Sequence, residues 1–327
     1  MPSERFLGNL HDCYVTTDTR ANKELAAQLN GLNVVVAGAG RGVGRAAAEL
    51  FSHGFPKSLS LVALEQDEVD DTVKLCQSIS KSTSVLSRAF NVTDAKAVQA
   101  FLSDVEKTFG SIDVVVMNAG RPPQWLPTAE GDPDIWWDTV AVSLQGAYNF
   151  SRYALPIMKK QQHGRIIFTS SAASHANEGI SSYIVGKLGM VRLAEIIHAE
   201  NFKESNIKAF AIHPGAIPTR FYHDFKNKAE GHTEDLRYIS DTAEGEQKSA
   251  ETAKGFFKDA HWDTPYMAGG MMTVLASGQM DFMSGRYVDC AMRVEDLVAK
   301  KDDILKNDLY RVRLNAGEGG LIPRLDY

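Results

Sequence analysis

The chain has 327 residues, which is enough to bury one large core or two smaller ones. Hydrophobic residues make up 44% and charged residues 23%, as in an ordinary globular protein, and the formal net charge of -6 without Lys/Arg blocks excludes a nucleic-acid partner. Cys13, Cys76 and Cys290 lie far apart without a Cys/His cluster, which predicts a reducing compartment and no metal site. The chain has no basic-then-apolar leader and no apolar run of membrane-spanning length, so we expect a cytoplasmic protein without a membrane partner.

Residues 1–28 lack a clear period and are predicted to form an arm that lies on the domain, with residues 19–29 as a candidate helix. Residues 32–37 (LNVVVA) form a β-branched run that suits a buried parallel strand, and residues 45–51 have a helical pattern. A glycine-rich turn joins the two. This order is the context of a dinucleotide fingerprint, with a pyrophosphate held at the helix N-terminus. A plain tight turn is the alternative. The candidate cofactor contacts in this turn are Gly38, Gly40, Arg41, Gly42, Val43 and Gly44.

A second apolar run, residues 59–64, ends at Glu65, which stands about 20 residues past Gly44. A Rossmann unit places the carboxylate that binds the adenosine ribose hydroxyls at this distance, and such a carboxylate repels a 2'-phosphate. Arg41 favours the opposite choice, because a guanidinium in the glycine turn can pair with that phosphate. Asp67 takes the place of Glu65 if the strand is longer. The sequence therefore favours NAD as the cofactor and leaves NADP open.

Strand and helix patterns continue to alternate along the chain. Helices are predicted at residues 70–80, 94–109, 136–160 (one helix or two), 183–200 (strongly amphipathic) and 267–276, and strands at residues 85–90, 112–117, 165–169, 207–213 and 285–290. This alternation predicts an α/β fold, a doubly wound parallel sheet of the Rossmann type in one domain over residues 29–290. Residues 291–327 are predicted to be a tail with a helix over 294–307.

Residues 218–265 are mostly polar and charged, with scattered glycines and without a sustained strand period. In a doubly wound sheet, ligands bind beyond the carboxyl ends of the strands. A long excursion after the strand at residues 207–213 therefore lies over the site. We interpret it as a mobile lid that shapes substrate choice.

Residues 170–187 carry the candidate chemistry. Ser170 and Ser171 end an apolar run, and Tyr183 and Lys187 stand four residues apart, one turn along a helix face. A nearby cation lowers the pKa of a tyrosine, and a serine hydroxyl can hydrogen-bond the same substrate oxygen. Together these groups can transfer a proton to or from an alcohol or carbonyl oxygen. An exposed Tyr–Lys pair on a surface helix is the alternative.

The chain resembles the short-chain dehydrogenase/reductase family over residues 31–290. The resemblance rests on several ordered motifs: the spacing of Gly38, Gly42 and Gly44, the triplet Asn118-Ala119-Gly120, the pair Tyr183 and Lys187, the dipeptide Pro214-Gly215, and Thr219. The tail resembles C-terminally extended fungal members, which suggests secondary metabolism.

The resemblance implies an NAD(P)-dependent oxidoreductase acting on an alcohol or ketone of a small, fairly apolar molecule. Tyr183 is then the general acid/base, Lys187 lowers its pKa and holds the nicotinamide ribose, and Ser171, in preference to Ser170, orients the substrate oxygen. Helix faces that often form subunit interfaces in this family imply a homodimer or homotetramer. The further cofactor contacts that it implies are Asn91, Val92, Asn118, Ala119, Gly120, Tyr183, Lys187, Pro214, Gly215, Ile217 and Thr219.

The chain departs from the family pattern at three positions. Ser143 stands where an asparagine helps to hold a water in the proton relay, Ala37 where a threonine is usual, and Asn91 where an aspartate contacts adenine. Ser143 leaves two alternatives open: a nonredox enzyme such as a lyase or cyclase, and a nucleotide-binding regulatory protein with weakened catalysis. His175 is a candidate substrate contact, with a plain loop histidine as the alternative.

Overall fold

A seven-stranded parallel sheet forms the centre of the computed structural model, which describes residues 8–175, 179–237, 239 and 245–313. The strand order is β3-β2-β1-β4-β5-β6-β7, so the direction of winding reverses between β1 and β4. The doubly wound α/β prediction is confirmed. The strands are β1 Asn33–Ala37, β2 Ser58–Ala63, β3 Ser84–Ala89, β4 Val114–Met117, β5 Gly164–Thr169, β6 Ile207–His213 and β7 Arg286–Asp289.

Helices cover both faces of the sheet, because side chains alternate between the faces along each strand. Val34 and Val36 of β1 belong to one apolar core with α1, α2 and α10, whereas Val35 and Ala37 belong to a second core with α4, α6 and α7. The helices are α1 Lys23–Leu29, α2 Gly42–Ser52, α3 Gln66–Ile79, α4 Ala95–Phe109, α5 Pro133–Val140, α6 Gly146–Gln161, α7 Ser181–Ser205, α8 Arg220–Ala229, α9 Glu246–Phe256, α10 Pro265–Ser277, α11 Val294–Ala299 and α12 Lys301–Lys306.

Several predicted helices differ in their details. The helix expected in the arm begins at Lys23, because the Asn22 side chain accepts a hydrogen bond from the Leu25 N–H and caps it. The segment predicted as one or two helices is continuous, since a π-helical turn, Ala141–Gln145, joins α5 to α6. The single helix expected in the tail is two short ones, α11 and α12, and residues 314–327 lie outside the described part.

The prediction of a strongly amphipathic α7 is wrong. The buried face of this helix carries the polar side chains of Lys187, Glu195 and Asn201, whereas Val185 and Ile196 are exposed. Lys187 lines the cavity described below, and Glu195 accepts a hydrogen bond from the Val312 N–H of the tail at 2.6 Å, so polar groups with partners occupy the buried face and the hydrophobic pattern does not follow the burial pattern.

The predicted lid is more regular than its composition suggests. Residues 220–229 and 246–256 form α8 and α9, which pack on one another around a small core of Phe225, Ile239, Ala250 and Ala253. Residues 238 and 240–244, which also belong to the predicted lid, lie outside the described residues. Across the described ranges, no helix combines the length and the apolar character needed to cross a membrane.

Candidate active site

A cavity of about 1520 Å³ opens at the carboxyl ends of the strands. Its wall includes the ends of β2, β5 and β6 through Ala63, Thr169 and His213. This is where open α/β sheets bind ligands, outside the strand ends and at the point of reversal. The volume exceeds the usual 300–1,000 Å³ of a small-molecule pocket, so the cavity has room for a cofactor and a substrate together.

The glycine turn between β1 and α2 is as tight as its sequence predicts. Gly38 has φ +84°, and a Cβ at that position would lie 2.5 Å from the Ala119 nitrogen. A Cβ at Gly44 would lie 1.9 Å from the Gly38 carbonyl oxygen. The Asn118 side chain donates a 3.1 Å hydrogen bond to the same oxygen, which ties the end of β4 to the turn. The close approach of these backbones leaves no room for a side chain.

The turn fits a dinucleotide. No side chain caps the N-terminus of α2, and its first residues, Gly42 and Val43, line the cavity, so the helix presents backbone N–H groups where an anion is stabilised. All the predicted cofactor contacts except Gly44 line the cavity; Gly44 lies buried behind the turn. Those that line it are Gly38, Gly40, Arg41, Gly42, Val43, Glu65, Asn91, Val92, Asn118, Ala119, Gly120, Tyr183, Lys187, Pro214, Gly215, Ile217 and Thr219.

An ionic cluster lies at the end of the cavity near β2. Arg41 Nη1 is 2.8 Å from Glu68 Oε1, and Arg237 Nη1 is 3.2 Å from the same oxygen. The Glu68 carboxylate also lies over the glycine turn, since a Cβ at Gly40 would come within 2.9 Å of its Oε2. Glu65, the predicted ribose acid, lines the same end. Glu68 was not predicted from the sequence as a site residue; it lies in α3, two residues before the helix predicted at residues 70–80.

Ser171, Tyr183 and Lys187 meet in another part of the cavity, beyond the carboxyl end of β5. The Ser171 hydroxyl shares a hydrogen bond with the Tyr183 phenol and accepts another from the Ala173 N–H at 3.1 Å. Lys187 Nζ lies 5.3 Å from the Tyr183 ring centroid and donates to the Thr169 carbonyl at 2.7 Å. The three groups thus share one wall and surround the position that a substrate oxygen would take.

Burial shifts the pKa values of Tyr183 and Lys187. Burial raises the pKa of Tyr183 to about 12, although the hydrogen bond from Ser171 opposes the rise. Burial lowers the pKa of Lys187 to about 8. Burial is the larger cause of the Tyr183 shift, and the role of Lys187 in lowering the pKa of Tyr183 stays a prediction.

The buried ammonium of Lys187 predicts a pH dependence of stability. With a pKa of about 8 when folded and an ordinary value of 10.5, the unfolded state binds more protons between these values, so stability rises with pH across that window. Below pH 8 the buried charge costs about 3 kcal/mol. We expect the unfolding free energy of wild type, relative to that of Lys187→Met, to rise by about 3 kcal/mol between pH 7.5 and 10.5. Denaturant titration at each pH measures this difference.

Lys203→Met provides the control, since Lys203 is exposed near the end of the same helix. Its difference from wild type should stay flat over the same pH range. A Lys187→Met difference that is also flat would contradict the assignment of the buried charge.

Ser170 and Ser143 lie outside the cavity wall. Ser170 is fully buried and its hydroxyl donates to the Lys187 carbonyl at 2.8 Å, so it supports the helix and does not face the cavity. Ser143 lies in the π-helical turn, fully buried, with no hydrogen-bond partner among the described residues. It packs against α7, where a Cβ at Gly186 would lie 3.2 Å from the Ser143 Cβ. Of the four predicted catalytic residues, Ser143 alone does not reach the cavity.

The loop that follows β6 is fixed by a residue that sequence reasoning missed. Asp263 Oδ2 accepts from the Ala216 N–H at 2.7 Å, and the Asp263 N–H donates to the Ala216 carbonyl at 2.7 Å. His11 of the arm lies 2.8 Å from the other carboxylate oxygen of Asp263. Gly215, with φ +100°, packs directly beneath this carboxylate. The arm and the end of the lid therefore hold the loop that lines the cavity.

His175 lies on a short 3-10 turn, Ala172–His175, at the cavity wall. Its ring meets Tyr287 edge-on with centroids 5.0 Å apart, and burial lowers its pKa. This position is consistent with both alternatives, contact with a substrate and packing against Tyr287 alone.

Comparisons with known proteins agree with the fold and with the family resemblance. A family model described as short chain dehydrogenase matches residues 32–230. Short chain dehydrogenase mpl6 of Monascus purpureus is 31% identical over 289 residues, which are 87% of this chain and 89% of that protein. The 3-oxoacyl-[acyl-carrier-protein] reductase FabG of Thermotoga maritima is 26% identical, with 80% of this chain and 96% of that protein covered.

Two solved structures have the same fold. Levodione reductase matches with a TM-score of 0.68 and 24% identity, covering 80% of this chain and 96% of that one. NAD+-bound xylitol dehydrogenase matches with a TM-score of 0.67 and 21% identity, covering 80% and 98%. At these identities the likeness concerns the fold alone.

Proposed function

The chain belongs to the short-chain dehydrogenase family and is an NAD(P)-dependent oxidoreductase, and we propose that it interconverts a ketone and a secondary alcohol with Tyr183 as the general acid/base. The observation that carries this proposal is the meeting of Ser171, Tyr183 and Lys187 in the cavity that the glycine turn also lines. Replacing Tyr183 by phenylalanine tests it, as described in the Discussion.

The proton chemistry follows from the two pKa values. With a pKa of about 12, the Tyr183 phenol is protonated at neutral pH and can donate its proton to a carbonyl oxygen. The Ser171 hydroxyl, already bonded to that phenol, is placed to orient the same oxygen. The Lys187 ammonium, fixed by the Thr169 carbonyl, stabilises the phenolate left behind. A protonated phenol at neutral pH thus fits the role of proton donor in ketone reduction.

The nicotinamide cofactor supplies the hydride when bound. We propose that the glycine turn and the start of α2 hold its pyrophosphate, Glu65 and Asn91 its adenosine end, and Lys187 and Thr219 its nicotinamide end. The side-chain oxygen of Asn91 is already engaged, because it accepts a hydrogen bond from the Thr93 N–H at 3.0 Å. Ser143, sealed from the cavity, is proposed to act through packing against α7.

NAD is the proposed cofactor in preference to NADP. Glu65 and Glu68 bring two carboxylates to the adenosine end, and Glu68 already engages both Arg41 and Arg237. A 2'-phosphate at this end would have to displace Glu68 from both guanidinium groups and lie near two negative charges. Because Arg41 is already paired with Glu68, its presence in the glycine turn is a weaker reason to expect NADP.

Glu68→Gln should shift the cofactor preference toward NADPH. Without the carboxylate, Arg41 and Arg237 become available to pair with the 2'-phosphate, and one repulsive charge is lost. We expect the ratio of the Kd for NADPH to the Kd for NADH to fall about tenfold, which corresponds to about 1.4 kcal/mol. Fluorescence titration with each reduced dinucleotide measures the ratio.

Glu204→Gln, an exposed change on α7, is the matched control and should leave the ratio unchanged. If Glu68→Gln also leaves the ratio unchanged, then Glu68 does not set the preference.

We further propose a division into an arm (residues 1–28), a catalytic dinucleotide-binding domain (residues 29–290, with the lid at about 218–265) and a tail (residues 291–327). The exposed apolar side chains Val185 and Ile196 on α7 support a homodimer or homotetramer. The free cysteines, two of them buried, support the reducing cytoplasm. The similarity to a Monascus protein supports a place in fungal secondary metabolism.

A further inference from the structure

A group of aromatic side chains, here called the aromatic wall, lines one part of the cavity. It comprises Trp125 from the loop after β4, Tyr222 of α8, Phe256 and Phe257 at the end of α9, and Trp262 from the segment before α10. Four of them belong to the predicted lid, and the fifth faces them from the body of the domain.

The rings of the aromatic wall contact one another in a continuous array. Trp125 lies 4.9 Å from Phe256 and 5.4 Å from Phe257, measured between ring centroids. Phe257 is stacked on Trp262 at 5.4 Å with an interplanar angle of 28°, and Tyr222 lies 4.6 Å from Trp262. These are the separations of stacked and edge-to-face aromatic pairs.

The aromatic wall is not a hydrophobic core. None of its members is buried, and Phe256 is 70% exposed. The lid has a separate core around Phe225, against which only Trp125 of the wall packs. The other four members are partly buried, and the part of each ring that still faces the cavity loses contact with water only when a ligand covers it, a burial that is favourable. The wall is therefore arranged for a ligand.

The aromatic wall is close to the catalytic group. Phe221, the neighbour of Tyr222, and Lys187 both lie near Gly120: a Cβ at Gly120 would be 3.9 Å from the Phe221 ring and 3.5 Å from Lys187 Nζ, and all of these residues line the same cavity as the wall. A ligand resting on the wall thus extends toward the residues that would act on its oxygen.

We propose that the aromatic wall binds a fused aromatic ring of the substrate, so that the substrate is a planar aryl ketone or the corresponding benzylic alcohol. This inference rests on the proposed function and specifies its substrate class. A planar ring offers a face and an edge to the wall's rings, and such pairs gain stability beyond the area they bury. A saturated ring of the same size covers the same area without that gain.

In the direction of reduction, the carbonyl carbon receives a hydride from the reduced nicotinamide, and the carbonyl oxygen receives the Tyr183 proton. The C=O π bond is replaced by one C–H bond and one O–H bond. The ketone gains the two electrons that the nicotinamide loses, and solvent returns a proton to Tyr183.

The test compares 1-tetralone, in which an aromatic ring is fused to the cyclic ketone, with 1-decalone, its saturated analogue. Isothermal titration calorimetry with the NAD+-loaded protein measures both dissociation constants. We expect 1-tetralone to bind about tenfold more tightly. Phe257→Leu and Trp262→Leu should each reduce this preference to about threefold or less, because each removes a stacking face.

Trp137→Leu is the control. Trp137 is 65% exposed on α5 and lies outside the cavity, so its variant should keep the full preference. All three variants should bind NADH as wild type does, which separates a wall that contacts substrate from one that only supports the lid.

Equal affinity for the two ketones, or a preference that survives in both wall variants, overturns the inference. So does the failure of both ketones, or of 1-tetralone alone, to bind to a protein that binds NADH. Failure to bind NADH or NADPH is a different result, because it contradicts the proposed function itself.

Discussion

Tyr183→Phe should lower kcat by roughly 10²–10⁴-fold, the usual contribution of a positioned general acid. The variant keeps the ring that Lys187 contacts and loses only the hydroxyl that bonds to Ser171. Because the hydroxyl carries the proton that a carbonyl oxygen would receive, turnover falls while the glycine turn, Lys187 and the Tyr183 ring keep their places at the dinucleotide site. We expect the Kd for NADH to stay within about twofold of wild type.

Steady-state oxidation of NADH with a ketone substrate, followed at 340 nm, measures this effect. Tyr148→Phe, on the exposed side of α6, removes a hydroxyl from a tyrosine that is 54% exposed and should leave kcat unchanged. A Tyr183→Phe variant with full turnover would remove Tyr183 from the mechanism. It would restore the nonredox alternative as the better account of the residues.

Gly44→Ala should abolish measurable dinucleotide binding. The added Cβ would lie 1.9 Å from the Gly38 carbonyl oxygen and 2.8 Å from Asn118 Nδ2, and neither the carbonyl nor the amide that bonds to it can move without opening the turn. Overpacking of this kind costs about 1–3 kcal/mol of stability. We expect the Kd for NADH to rise at least about 100-fold, because displacement of the turn misplaces the N–H groups of α2.

Gly131→Ala is the matched control, since a Cβ at Gly131 has only an ordinary contact of 3.7 Å with Gln124. It should bind NADH normally. The two variants are compared by fluorescence titration and by the midpoint of thermal unfolding. If Gly44→Ala binds NADH as tightly as wild type, the turn does not hold the cofactor in the way described.

Local sequence signals predicted much of the fold. The β-branched run before Gly38 and the strand at residues 207–213 are short-range patterns, and the corresponding strands are β1 and β6. The π-helical turn around Ser143 lay beyond such signals, because its helical pattern looks continuous. The mixed composition of α7 misled prediction for a related reason: its polar side chains are buried against partners far along the chain, as Glu195 is against Val312 of the tail.

The site could be predicted only in part. Tyr183 and Lys187 stand one turn apart on α7, and the glycine turn is a short motif between β1 and α2, so both could be found in sequence. Glu68 and Asp263 could not, because their importance comes from partners far along the chain, Arg237 and Ala216. The aromatic wall likewise unites residues from separate loops. The pKa of Tyr183 depends on burial, which spacing does not report.

The most direct measurement is a fluorescence titration of the purified protein with NADH and, separately, with NADPH. Saturable binding of NADH, tighter than that of NADPH and lost in Gly44→Ala, is the predicted result and would support the roles proposed for the glycine turn and Glu65. Tighter binding of NADPH would contradict the proposed cofactor preference. Binding of neither dinucleotide would contradict the central claim that this cavity holds a nicotinamide cofactor.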